Sequence, residues 1–235
     1  MSAWKAKRFW QAASAEACEG GFTVRLDGRA VKTPARRALV LPTLAMAEVI
    51  AAEWDAQQGL VKPDTMPATR AANSALDKVA EQFDEVAGLL AAYGETDLLC
   101  YRATGPAALV ARQADGWDPL LAWCATTLQA PLIATAGVMH IDQPAASVAV
   151  LRDLVHGFTP FQLAAVHDLI AISGSLVLAL AVTRGRLTVE QAWDLSRIDE
   201  TWQNEQWGVD DEAAALESLK HHALLEAARF YGLCG

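Results

Sequence analysis

The chain has 235 residues, 53% of them hydrophobic and 20% charged, enough apolar material for one large domain or two small ones and the wrong balance for a disordered segment. A formal net charge of −9 argues against a nucleic-acid binder, which needs clustered Lys and Arg to neutralise phosphates. The charge is polarised along the chain: residues 1–41 carry eight basic side chains, Lys5 among them, against three acidic ones, and residues 190–217 carry nine acidic against one basic, Arg197. Such polarity suits steering between protein surfaces, and equally two ordinary solvated faces.

In chain order, residues 9–13, 22–26 and 29–33 read as short strands, with residues 38–41 as a fourth. Asp27-Gly28 is a two-residue hairpin signal, because both central positions of that turn require positive φ. Pro42-Thr43 opens an amphipathic helix running to about Gln57 and closed by Gly59; residues 61–67 are irregular. The spacing of Ala72, Leu76, Val79, Phe83, Val86 and Leu90 predicts a helix over 69–93. Further helices are predicted over 106–114, 119–128, 145–156, 160–183, 189–207 and 211–231, with caps at Asp118, Thr159 and Thr188, the last followed by Gln191. The reading is α+β: a small β-rich N-terminal domain over residues 1–67, then a larger all-helical domain over 68–235.

The apolar run at 163–182 approaches the ~20 residues of a membrane span, but His167, Asp168 and Ser173-Gly174-Ser175 interrupt it. A buried central helix is expected instead, with no membrane insertion. Cys18, Cys100, Cys124 and Cys234 have neither CxxC spacing nor a disulfide pattern, so free thiols in a reducing compartment are expected. The start lacks a signal peptide or an Arg- and Ser-rich leader, which predicts a bacterial cytoplasmic protein, or a processed protein of the mitochondrial matrix.

Catalytic signals are weak. Lys32-Thr33 lacks the glycines of a phosphate loop. Glu95 and Asp97 read as a capping turn leading into LLCYR, with Arg102 as a salt-bridge partner. His167 and Asp168 are adjacent and so point about 100° apart on a helix, which predicts poor direct pairing. His221-His222 has no partner at metal spacing. No catalytic residue, metal or cofactor is assigned. Trp54 reads as a packed indole in the core or at a domain junction.

Residues 196–208, SRIDETWQNEQWG, are the least generic stretch. At helical spacing Ile198 and Trp202 stack, and Asp199, Gln203 and Gln206 form a second, polar face. That face is either a recognition surface with aromatic anchors or a solvated helix side, and the physics of the residues alone favours the solvated side.

Together with GSLVLALAV, VRLDGRAVKTP, AAEWDAQ, MPATRAANSALD and ETDLLCYRA, this stretch resembles the assembly-chaperone family of the rotary ATP synthase over nearly the whole chain. Ala30 departs from the proline that often follows the hairpin arginine, which bears only on local turn rigidity. The resemblance implies a non-enzymatic, monomeric chaperone that covers the free α subunit of the catalytic head until the β subunit replaces it. It further implies that the acidic residue after Ser-Arg-aliphatic, here Asp199, serves the client, with Glu200, Gln203, Glu205 and Trp207 completing a client-binding surface. The rival reading is a small hydrolase or transferase using Glu95, Asp97 and His167 in a cleft between the two parts. A third is a structural interaction protein with no client turnover.

Overall fold

The structure is a computed structural model that describes residues 7–235. Lys5, counted above in the basic N-terminal stretch, lies outside the described residues. The architecture is α+β, with a small sheet first and helices thereafter.

Strands β1 (Ala13–Cys18), β2 (Gly21–Leu26) and β3 (Arg29–Ala30) form an antiparallel meander. The Asp27-Gly28 turn is as the sequence predicts, with φ of 47° and 79°. Asp27 also reaches back to accept from the backbone N–H groups of Gln11 and Ala12 at 3.0–3.1 Å. Those bonds hold its carboxyl below the usual carboxylate range. Two expectations need correction. The first strand lies at Ala13–Cys18 and not at 9–13, because its register is set by pairing with β2, Ala13 opposite Leu26. Residues 38–41 form no strand of their own: Ala38 and Leu41 make isolated bridges to Lys32 and Phe22.

Helix α1 (Leu44–Asp55) starts on a Thr43 cap and buries Met46, Ala47, Ile50 and Ala51 against the sheet. A single 3-10 turn, Pro63–Thr65, leads to α2 (Pro67–Ser74). Glu53 caps α2 from a distance, its carboxylate accepting from the Ala68 and Thr69 N–H groups at 2.7 and 2.8 Å and from the Thr69 hydroxyl at 2.6 Å. A carboxylate there satisfies orphan donors and complements the helix dipole.

The long helix predicted over 69–93 is broken: α2 passes into a π segment, Ala75–Val79, before α3 (Phe83–Ala91) and a 3-10 turn, Ala92–Glu95. Asp77 in the π segment accepts from the Thr33 hydroxyl at 2.6 Å and the Ala35 N–H at 3.0 Å, side-chain bonds that amphipathic spacing cannot register. Conversely, the two helices predicted over 106–114 and 119–128 are one, α4 (Ala107–Thr127), with Pro119 inside it. Asp118 is therefore not a cap. A proline inside a helix costs about 3 kcal/mol. Burial of Trp117, Leu120 and Cys124 on the same helix offsets that cost.

Two short strands, β4 (Tyr101–Arg102) and β5 (Thr135–Ala136), pair in parallel. Helix α5 (Ala145–His156) follows. The apolar run splits into α6 (Pro160–Ser173) and α7 (Leu176–Thr183) at Gly174, whose φ of +73° no helix accommodates. Every residue of α7 from Leu176 to Ala181 is buried, with α4 and α8 (Val189–Ser196) packed on it. No helix among the described residues is long and apolar enough to cross a membrane. Thr188 and Gln191 form a complete capping box at the start of α8. The helix predicted over 189–207 is likewise two, because Arg197 (φ −112°, ψ 15°) separates α8 from α9 (Ile198–Trp207). Helix α10 (Asp211–Gly232) closes the chain.

The described residues fall into two compact units. One comprises the chain up to Phe83 with Thr159–Ala165 and Arg229–Gly235; the other comprises Asp84–Phe158 and Val166–Ala228. The first has its own core, in which Trp10, Val24, Leu41, Ile50 and Phe230 are buried. In the second the buried residues include Leu99, Trp117, Leu151 and Ile170 besides α7.

Candidate functional site

Helix α9 lies in the second unit and packs on α4. Ile198 is buried, and Gly116 of α4 gives the close approach: a Cβ there would stand 2.9 Å from Ile198 Cδ1 and Leu195 Cδ2. Beside it the Trp117 indole N–H donates to the Leu195 carbonyl at 2.8 Å, tying α4 to the last turn of α8.

Of the polar residues proposed from sequence, Asp199 is not a free surface carboxylate. It is half-buried and accepts from the Gln113 side-chain amide at 2.6 Å. Gln113 is itself buried and accepts from the Ala103 N–H at 2.8 Å, so one side chain bridges α9 to the segment before α4. Glu205 makes a bidentate pair with Arg112, both contacts 2.9 Å, and Arg112 stacks over the Trp202 ring at 5.1 Å. The Arg112 hydrogen bonds hold the Glu205 carboxyl below its ordinary range. Glu200 is exposed and pairs with Arg197 at 2.9 Å. Arg197 also donates to the Ile172 carbonyl at 2.9 Å and lies over Trp193 at 5.1 Å.

Helical phase therefore divides the set. Asp199, Trp202 and Glu205 turn toward α4, while Glu200, Gln203 and Trp207 face outward. Trp207 is 79% exposed. Sequence reasoning missed what lies beyond it: Val209, and Leu216 and Leu219 one turn apart on α10, are exposed as well. Apolar spacing on α10 reads as core whichever way a leucine points, so only the fold could identify these. Arg112 and Gln113 were missed because nothing in residues 107–114 says which polar side chain is buried.

The residues of the rival hydrolase reading do not make an active site. Asp97 is fully buried, and its carboxylate accepts from the Leu99 N–H (3.0 Å), the Ser175 hydroxyl (2.7 Å) and the Val177 N–H (2.9 Å). Burial pushes its pKa up to about 6 despite those bonds. This carboxylate is a capping group for the short 3-10 turn Leu98–Cys100 and for α7, with no opening for substrate. Glu95 is exposed. Arg102 pairs with Asp118 at 2.7 Å and not with the Glu95–Asp97 turn, which corrects the sequence expectation. His167 and Asp168 do pair, Nδ1 to Oδ1 at 2.8 Å, on a half-exposed face. The 100° between adjacent positions is overcome because both side chains reach into solvent, where rotamers are free to converge. The carboxylate raises the imidazole pKa. Among the described residues no group of three or more His, Cys, Asp or Glu side chains is placed to hold a metal ion. All four cysteines are free, and burial pushes the Cys100, Cys124 and Cys234 thiols up to about 12.

The whole chain has close relatives of known structure. Atp12 from Paracoccus denitrificans is 49% identical, covers 98% of this chain and 99% of its own, and superposes with a TM-score of 0.95. The Atu1473 protein of Agrobacterium tumefaciens is 41% identical over 98% of this chain and 87% of its own, with a TM-score of 0.93. A protein named atp12, mitochondrial, from Schizosaccharomyces pombe is 24% identical over 90% of this chain and 77% of its own length. The family model described as ATP12 chaperone protein matches residues 7–125. With the family model matching more than half of the chain and Paracoccus Atp12 49% identical over 98% of it, the chain belongs to the ATP12 chaperone family.

Proposed function

We propose that this chain is a non-enzymatic assembly chaperone of the ATP synthase catalytic head, and that it shields the free α subunit until the β subunit takes its place. An unassembled obligate interface is a large apolar patch that aggregates unless covered. The observation that carries the reading is the row of exposed apolar side chains within residues 207–219, Trp207 at 79%, Val209 at 63%, Leu216 at 54% and Leu219 at 69%, set in the most acidic stretch of the chain. Large apolar anchors supply affinity, and Glu200, Asp210, Asp211 and Glu212 in the same stretch select a basic partner surface. Client contact falls to Glu200, Gln203 and Trp207, while Asp199 and Glu205 hold α9 in place through Gln113 and Arg112.

The hold on the client must be weaker than the final α–β interface, since a chaperone that out-competes β would block assembly. Release follows from exchange of partners and needs no nucleotide. Bacterial relatives at 41% and 49% identity support action in a bacterial cytoplasm. On this reading the chain is a monomer when free.

The test is light scattering of isolated α subunit with the wild-type chain and with a Glu200→Lys, Trp207→Ala double variant matched for melting temperature. Wild type should suppress aggregation and the variant should lose most of that suppression. Equal suppression removes this surface from the site, and no suppression by wild type overturns the client assignment.

A further inference from the structure

We infer a second client-binding site on the first unit: an aromatic groove that takes an extended polypeptide segment carrying an apolar side chain beside an acidic one. The inference rests on the chaperone reading above and adds a surface remote in sequence from α9. The groove has a volume of about 220 Å³ and is lined by Phe9, Trp10, Trp54 and Val61 with Arg29 and Lys32. That is smaller than the roughly 300 Å³ at which pockets for drug-sized ligands begin, so it accommodates one or two side chains and not a cofactor.

Three features point to a peptide. Phe9 is 69% exposed, yet it stands edge-on to Trp10 (centroids 5.2 Å apart), which stands edge-on to Trp54 (5.2 Å). In this aromatic ladder the middle ring, Trp10, is buried, Trp54 is half-buried, and the outer ring, Phe9, stands in solvent. The indole N–H groups of both Trp10 and Trp54 are buried and have no acceptor among the described residues. Indole donors ordinarily find one. Finally, Arg29 and Lys32 are exposed and make no ion pair among the described residues, whereas Arg8, Arg25 and Arg37 are paired with Asp55, Glu16, and Asp77 with Glu81. The nearby Asp27 carboxylate is already engaged by the Gln11 and Ala12 N–H groups. Two exposed cations, of which Arg29 also acts electrostatically on Asp27, stand beside apolar groove residues and select an acidic residue next to an apolar one.

The experiment uses the full chain and isolated synthase α subunit. The photo-reactive residue benzoylphenylalanine replaces Phe9 in one sample and Trp207 in another, and cross-linked peptides are identified by mass spectrometry. In parallel, binding to α subunit is measured for an Arg29→Glu, Lys32→Glu variant, with an Arg29→Gln, Lys32→Gln variant as a milder form. Adducts from position 9 to an α-subunit segment with an acidic residue near the attachment point are expected, along with at least tenfold weaker binding by the reversed-charge variant at an unchanged melting temperature. Adducts from position 207 alone, or unchanged affinity in both charge variants, overturn the groove while leaving the client assignment standing. An intrachain adduct to residues 1–6 shows that the chain fills its own groove and also overturns the inference. If neither position cross-links and wild type fails to suppress α-subunit aggregation, the client assignment falls and this inference with it.

Discussion

Asp199 on α9 accepts a hydrogen bond from Gln113 on α4 at 2.6 Å, and Gln113 passes the connection to the Ala103 backbone at 2.8 Å. The acidic residue that the family resemblance marks for the client thus serves first to hold its own helix in register. Asp199→Lys should therefore do two things. It leaves the buried amide of Gln113 without its acceptor, which costs roughly 1–3 kcal/mol, and it turns a cation toward α4. Urea denaturation of Asp199→Lys and Asp199→Asn, compared with Gln113→Ala, checks this. We expect Asp199→Asn, which keeps an acceptor oxygen, to be the mildest of the three. A midpoint for Asp199→Lys equal to wild type would show that the carboxylate has no structural part.

Asp97 should make stability depend on pH in a definite direction. Its pKa is about 6 in the folded state, where burial disfavours the charge, against 3.8 as the ordinary value. Between those values the folded state binds more protons than the unfolded, so stability from this group declines as pH rises from about 4 to about 6 and is level above. The Asp97→Asn variant lacks that slope. Parallel melting curves of wild type and Asp97→Asn between pH 4 and 8 should diverge over this window, and curves that stay parallel would remove Asp97 as the titrating group.

Replacing Gly28 with Val puts a β-branched residue at φ +79°. No heavy atom lies within 4 Å of the Cβ position, so the cost is conformational and not steric. A loss of roughly 1–3 kcal/mol is expected in chemical denaturation.

The Trp54 indole is half-buried against the first unit's core and stands edge-on to Trp10 at 5.2 Å. Trp54→Arg exchanges that packing for a guanidinium in the same half-buried place, and about 3 kcal/mol or more should be lost, seen as low soluble yield and a melting temperature several degrees down. A variant that melts normally but binds α subunit poorly would make Trp54 chiefly a groove contact.

What the sequence by itself determined are the features written within a few residues of chain. Asp27-Gly28 dictates a hairpin because both of its residues tolerate a positive φ angle, and Thr188 with Gln191 dictates a helix start because the two side chains satisfy each other's backbone N–H. The α+β order and the buried apolar run were legible for the same reason: periodicity is a local property. The tertiary structure alone decided where helices break and which polar groups are spent on structure. Pro119 sits inside an unbroken helix because burial of Trp117 and Leu120 outweighs its local cost, and the sequence around 196–198 gives no sign that Arg197 will leave helical geometry to donate to Ile172. Asp199 finds Gln113 across 86 positions and Asp97 finds Ser175 across 78. Such partners are set by how elements pack, so a carboxylate that reads as a surface or catalytic charge in the sequence becomes a cap or a tether once the chain has folded.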